Sequence, residues 1–371
     1  MKIAVLTWFR DMNYGTVLQA LALQMYLKEQ GHDPELINFL PERNSTINNR
    51  LTFLERLNRK ADFLCNNKFK KDHADIFQNK LNKFYSTIDE NCSVSKPIVE
   101  GDDFETLGKV YDLYICGSDQ IWNPYWFEPH FFLDFVAKEK TKIAYAPSLG
   151  ISNLPKEFHD LFRKYLSSFD GISLREAKMA SQLSDIVGRE IINVCDPVFL
   201  LDRKIWTSMG GEKPLINNPY IFYYFLSYNK NHWNSIKKYA KKHGLDIVGI
   251  PIVGREFYLF DGDRYIDASP LDFINYINHA ECIFTDSFHG TSFSILLEKQ
   301  FYVFERFRED SDYSQNSRVK NLLEKVNLLN RIIKHNSKQI TIQPNIDYKM
   351  VSRSLREYIY QSTTYLNAFL E

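Results

Sequence analysis

Short apolar runs alternate along the chain with segments of helical period, the pattern expected of βαβ units and parallel sheets. The run IAVLTW (3–8) predicts a buried strand. VLQALALQMYLKEQG (17–31) predicts the helix after it, with Leu18, Leu21, Ala22 and Met25 on one face and Gly31 as its stop. PELINF supplies the next strand. Runs in YDLYICGSDQ (111–120), KIAYAPSLG (142–150), FDGISLRE (169–176) and INVCDPVFLL (192–201) complete a first α/β domain with an open sheet over 1–208. MGGEKPLINNP (209–219), rich in Gly, Pro and Asn, predicts a linker. A second domain over 220–345 is predicted from the strands YIFYYFLS, DIVGIP, ECIFTD and QFYVF, with WNSIKKYAKKHG and SPLDFINYINHA as intervening helices. The tail, 346–371, has helical period and predicts a closing helix that crosses back to the first domain.

Residues 45–95 interrupt the rhythm. They predict a helical insertion in the first domain, richer in Lys and Arg than in Asp and Glu. Such a face is either solvated or docks onto an anionic membrane or a lipid-linked substrate.

The length, 371 residues, favours two domains and hence a cleft. Lys plus Arg equals Asp plus Glu at 46 each, so no global field recruits nucleic acid, and any anion site must be local. With 28 Phe and 22 Tyr the chain has the large side chains of a globular protein. Its cysteines, Cys65, Cys92, Cys116, Cys195 and Cys282, show no CxxC or Cys/His spacing. Neither a disulfide framework nor a metal site is expected. The start MKIAVLTWFR has an apolar run too short for a signal peptide, and nowhere do 18 apolar residues run together. A cytoplasmic protein, able to meet the inner face of the membrane, is the expectation.

Candidate chemistry sits where strands end, since ligands of open α/β sheets gather at the carboxyl edge, beside helix N-termini that favour anions. In RDMNYGTVLQ (10–19), Asn13, Tyr14 and Gly15 line a turn and Thr16 is placed to cap the helix; neither GxGxxG nor GxxxxGK[ST] is present. In CGSDQIWNP (116–124), Asp119 and Gln120 suit sugar hydroxyls and Trp122 suits a pyranose face. The same residues also read as an Asx turn and a core indole. Arg175 ends a strand, either to grip a carboxylate or phosphate or to form a salt bridge. In TDSFHGTSFSI (285–295), His289 lies in a turn with Ser287, Phe288 and Gly290, and Thr291 could cap the next helix. Such a histidine either moves protons or only closes the loop. Asp286, Ser287 and His289 are adjacent in sequence, unlike the members of a hydrolase triad, and no GxSxG elbow exists. Arg306, Arg308 and Arg318 form either a basic rim or a solvated loop.

Taken in order, NYGTVLQALALQMYL, GSDQIWNP, IAYAPSLG, SLRE, DPVFLL and TDSFHGTSFSILLEKQF resemble the polysaccharide pyruvyl transferase family, from the amino terminus to about residue 330. The resemblance implies two Rossmann-like domains facing across a cleft, glycosyltransferase-B-like. It also implies transfer of pyruvate from phosphoenolpyruvate, the co-substrate, to a sugar of a cell-surface glycan or its lipid-linked precursor as a cyclic ketal. Under it, Arg175 and His289 match the family's donor-binding and acid/base residues. Ser287, Phe288, Gly290, Thr291 and Arg318 complete the donor side, and Asn13, Tyr14, Gly15, Asp119, Gln120 and Trp122 form the acceptor side. One departure stands out: where several members carry Arg-Leu-His, this chain has Ser287-Phe288-His289. A glycosyltransferase of the same fold with a nucleotide-sugar donor is therefore the second reading, and a non-catalytic glycan-binding protein the third.

Overall fold

The computed structural model describes residues 1–41, 53–99, 101–252, 254–259, 262–308 and 314–371. Its strands are β1 (Lys2–Leu6), β2 (Asp33–Leu36), β3 (Leu113–Cys116), β4 (Thr141–Ala144), β5 (Gly171–Leu174), β6 (Ile192–Asn193), β7 (Tyr220–Tyr224), β8 (Asp246–Gly249), β9 (Asp263–Arg264), β10 (Cys282–Thr285), β11 (Gln300–Phe304) and β12 (Ile332–Ile333). They form two six-stranded sheets in the orders β2-β1-β3-β4-β5-β6 and β9-β8-β7-β10-β11-β12. Every pairing is parallel: Ala4 lies opposite Tyr114, and Ile283 lies between Phe222 and Phe301. Parallel strands covered on both faces must be apolar throughout, and LYIC (113–116) and CIFT (282–285) are buried at every position. In each sheet the strand order reverses once, between β1 and β3 and between β7 and β10, which opens a crevice at the carboxyl edge.

The chain divides into two compact units, one from the described parts of 1–46, 88–201 and 353–371, the other from those of 47–87 and 202–352. Two expected boundaries differ from this division. The insertion expected in the first domain forms the helices Phe53–Asp72 and Ala74–Asn91 and belongs largely to the second unit; its start, 45–52, lies outside the described residues. Gly254 explains the attachment: a Cβ there would sit 2.3 Å from the Asp62 carbonyl and 2.7 Å from the Asn66 amide, so only glycine lets the backbones meet. Arg255 then grips the Asp62 carboxylate with two hydrogen bonds, at 2.7 and 3.1 Å.

The boundary between the units falls after Leu201, ahead of the predicted 209–219 linker. The helix Arg203–Gly210 joins the second unit because Trp206 packs edge-on against Phe293, and the Asn275 amide ties the carbonyls of Gly210, Gly211 and Lys213. The last helix, Tyr348–Asn367, returns to the first sheet. There Tyr358 and Tyr365 donate to the Val194 and Ala144 carbonyls, and Ser362 accepts from the Cys195 amide.

The helix Tyr14–Glu29 is more deeply buried than a one-faced pattern predicts: from Tyr14 to Gln24 every residue is buried, including Gln19 and Gln24. The segment Pro197–Leu200 packs against it, so its polar side chains must find internal partners. Gln19 donates to Thr7, Trp8 and Thr16 and accepts from the Ser118 amide.

Candidate functional site

The carboxyl edge of the first sheet is a buried polar network. Asn13 and not Thr16 caps the first helix, accepting from the amides of Gly15 and Thr16. Thr16 instead donates to Asp119 at 2.5 Å. Asp119 adopts a left-handed φ of 65° after Gly117, and its other oxygen accepts from the Gln120 amide. Tyr14 and Gly15 are enclosed in the helix. Gln120 is half-buried, and its side-chain oxygen lies where a Cβ on Gly150 would intrude.

Two expected site residues are enclosed by the first unit. Trp122 is 1 % exposed, stacked on Phe132 with ring planes 2° apart, and its indole donates to the Phe131 carbonyl. It offers no face to a sugar. Arg175 is 2 % exposed, bonds directly to Asp196, and lies 3.8 Å from Asp119. Burial works against its charge, but Asp196, Asp119 and Glu176 outweigh burial and hold the guanidinium more firmly protonated than usual. Asp196 also accepts from the Ser118 hydroxyl and the Val198 amide. The only local signal for this partner was CDPV, an aspartate before proline just past the strand that neighbours Arg175's own.

At the carboxyl edge of the second sheet, the helix Phe288–Leu296 starts at the switch point between β7 and β10. Ser287 is its N-cap, its hydroxyl accepting from the Gly290 amide. Thr291, expected as a possible cap, is fully buried and donates to the Ser287 carbonyl. Gly290 serves packing: a Cβ would lie 2.4 Å from the Thr285 hydroxyl. That hydroxyl in turn joins the Tyr224 carbonyl to the Ser287 amide. Ser287, Gly290 and Thr291 thus build the turn. His289 is 7 % exposed and lies edge-on to Phe288, with ring centroids 5.2 Å apart.

A recess opens at this edge, with Leu226, Asp286, Phe288, Arg306, Phe307 and Arg318 among its walls. Phe288 rather than His289 supplies the wall at the helix start. Arg318 is buried and donates to Gln315 at 2.6 Å. Lys320 also borders the recess, paired with Glu305 at 3.0 Å. Among the described residues of its walls, three cations face two carboxylates.

Asp286 is the residue that adjacency in sequence made hard to read. Its carboxylate accepts from the Leu226 amide and the Ser227 hydroxyl, both at 2.6 Å, and so ties together the loops after β7 and β10. Burial raises its pKa, with Arg306 offsetting part of the effect. A carboxyl whose folded pKa lies above its unfolded one binds its proton more tightly in the native state. Its ionisation therefore costs stability, nothing below the unfolded pKa and the full amount above the folded one. Asp286→Asn, compared with the parent by urea unfolding, should gain relative stability as pH rises through and above the ordinary carboxylate range. A stability difference independent of pH would count against this.

Among curated proteins none has a significantly similar sequence. Among solved structures, UDP-GlcNAc 2-epimerase from Neisseria meningitidis bound to UDP-GlcNAc superposes with a TM-score of 0.51 at 10% identity, over 98% of this chain and 94% of that one. A candidate UDP-N-acetylglucosamine 2-epimerase from Listeria monocytogenes gives 0.51 at 9% identity, over 97% and 90%. These likenesses show the fold: two helix-flanked parallel sheets of glycosyltransferase-B type. The family model for polysaccharide pyruvyl transferase matches residues 13–306. Across that span lie the polar edge of the first sheet and the recess-forming turn of the second, and the chain, a transferase of glycosyltransferase-B-like fold, belongs to the polysaccharide pyruvyl transferase family.

Proposed function

We propose that this transferase uses a nucleotide sugar as its donor in glycan biosynthesis, held at the carboxyl edge of the second sheet. The phosphoenolpyruvate donor expected from the sequence is corrected here, as co-substrate and as partner, because the meningococcal structure of the same fold holds UDP-GlcNAc. The local chemistry agrees: Arg175, the cation expected to bind the smaller donor, is taken up by Asp196, and Ser287 stands where an arginine was expected.

The observation that carries the reading is the cationic recess at the β7/β10 switch point, where Arg306 and Arg318 border a helix start. The first-turn amides ahead of the capped Gly290 lack intrahelical acceptors, and with two guanidinium groups they suit a diphosphate. In the transfer, an acceptor hydroxyl oxygen bonds to the anomeric carbon as the bond to the diphosphate breaks. The electron pair leaves on the phosphate oxygen, and the hydroxyl proton passes to a base. Arginines that meet the departing charge stabilise the transition state. His289, beside Phe288 in the first helical turn, positions that wall.

Calorimetric titration with UDP-GlcNAc, UDP, GDP and, in parallel, phosphoenolpyruvate tests this. A nucleotide should bind, and Arg318→Ala should weaken it at least tenfold, since a charge-assisted contact contributes about 1.5–3 kcal/mol. Binding of phosphoenolpyruvate without any nucleotide binding would overturn the proposal.

A further inference from the structure

The helix Phe53–Asp72 shows two opposed faces along its described side chains. Asp62, Cys65, Asn66 and Phe69 face inward: Asp62 is held by Arg255, Cys65 and Asn66 lie against Gly254, and Phe69 stacks on Phe257 at 4.2 Å. The opposite stripe, at helical spacings of three and four, is Lys60, Phe63, Leu64, Lys68 and Lys71. All five are exposed, Phe63 at 62% and Leu64 at 57%. Asp62 points to the other face, and Asp72 closes the helix beyond the stripe.

Phe63 and Leu64 are adjacent large apolar side chains held outward and bracketed by lysines, the arrangement of an interfacial helix. We propose that this stripe is an interfacial docking surface for anionic lipid: Phe63 and Leu64 enter the acyl boundary while Lys60, Lys68 and Lys71 meet headgroup phosphates. Charge complementarity favours lipid over an apolar protein partner, because a neutral chain places three lysines around its outward apolar pair without an intervening carboxylate. The inward face is fully engaged, so docking needs no rearrangement of the helix. The inference goes beyond the donor proposal and rests on none of its residues.

The test is co-sedimentation of the full chain with vesicles of phosphatidylcholine alone, or with phosphatidylglycerol as about a third of the lipid. Binding is expected to the anionic vesicles only and should weaken as salt rises. The charge variant Lys60→Gln/Lys68→Gln/Lys71→Gln should bind at least tenfold more weakly, each lysine contributing about fivefold. Phe63→Ser/Leu64→Ser should likewise bind at least tenfold more weakly. Both variants change only exposed side chains and should keep the parent's circular dichroism and nucleotide titration. Equal binding to neutral vesicles, no vesicle binding by the parent, or variants that bind as the parent does would each overturn the proposal. Self-association lost in Phe63→Ser/Leu64→Ser, without vesicle binding, would assign the face to a second copy and overturn it too.

Discussion

Arg175→Ala should unfold in urea with a stability about 3–5 kcal/mol below that of the parent, because truncation strands the buried Asp196 carboxylate without its counter-charge. The loss exceeds that of an exposed ion pair for a physical reason. Both side chains are excluded from water, so no solvent takes the place of the guanidinium beside Asp196. In a protein whose total stability is of the ordinary ~5–15 kcal/mol, the variant would be partly unfolded on mild heating. The folded fraction should retain the parent's affinity for nucleotide, measured by calorimetry at low temperature. A variant of unchanged stability that had lost donor binding would return Arg175 to the site.

Trp122→Ala should cost a similar amount, about 3–5 kcal/mol, by leaving a cavity between Phe132 and Phe169 and orphaning the Phe131 carbonyl. Trp122→Phe should lose less, since the stacking partner remains while the indole hydrogen bond does not. Thermal unfolding followed by circular dichroism gives the ranking parent, Phe, Ala. Were Trp122 a sugar platform, the alanine variant would unfold like the parent and fail only in acceptor binding.

These variants mark where local reasoning stops. The sites were sought at strand ends, and Asp119, Arg175 and Ser287 each lie within three residues of a strand, at the carboxyl edge of a parallel sheet. What a side chain does there depends on what the neighbouring strand brings level with it. Arg175 follows β5 and Asp196 follows β6; their pairing depends on the parallel register of the two strands, which no spacing within either segment contains. Trp122 reads as sugar-binding or core from its own turn, and Phe132, ten positions on, decides for core.

The periodicity of the chain by itself determined most strands, though not the short β9 and β12, most helices and the order in which they occur, because burial on both faces demands continuous apolar runs and turns demand small or polar residues. Gly31 stops a helix, and the SFHG turn opens one. Only the tertiary structure decided that the basic helices join the second unit through Gly254 and Arg255. It alone turned Ser287, Gly290 and Thr291 into the framework of a turn, and made Asp286 the tie between two loops. The division has one physical cause: hydrophobic period is a property of consecutive residues, whereas desolvation, charge pairing and close backbone approach belong to residues that meet only when distant strands align.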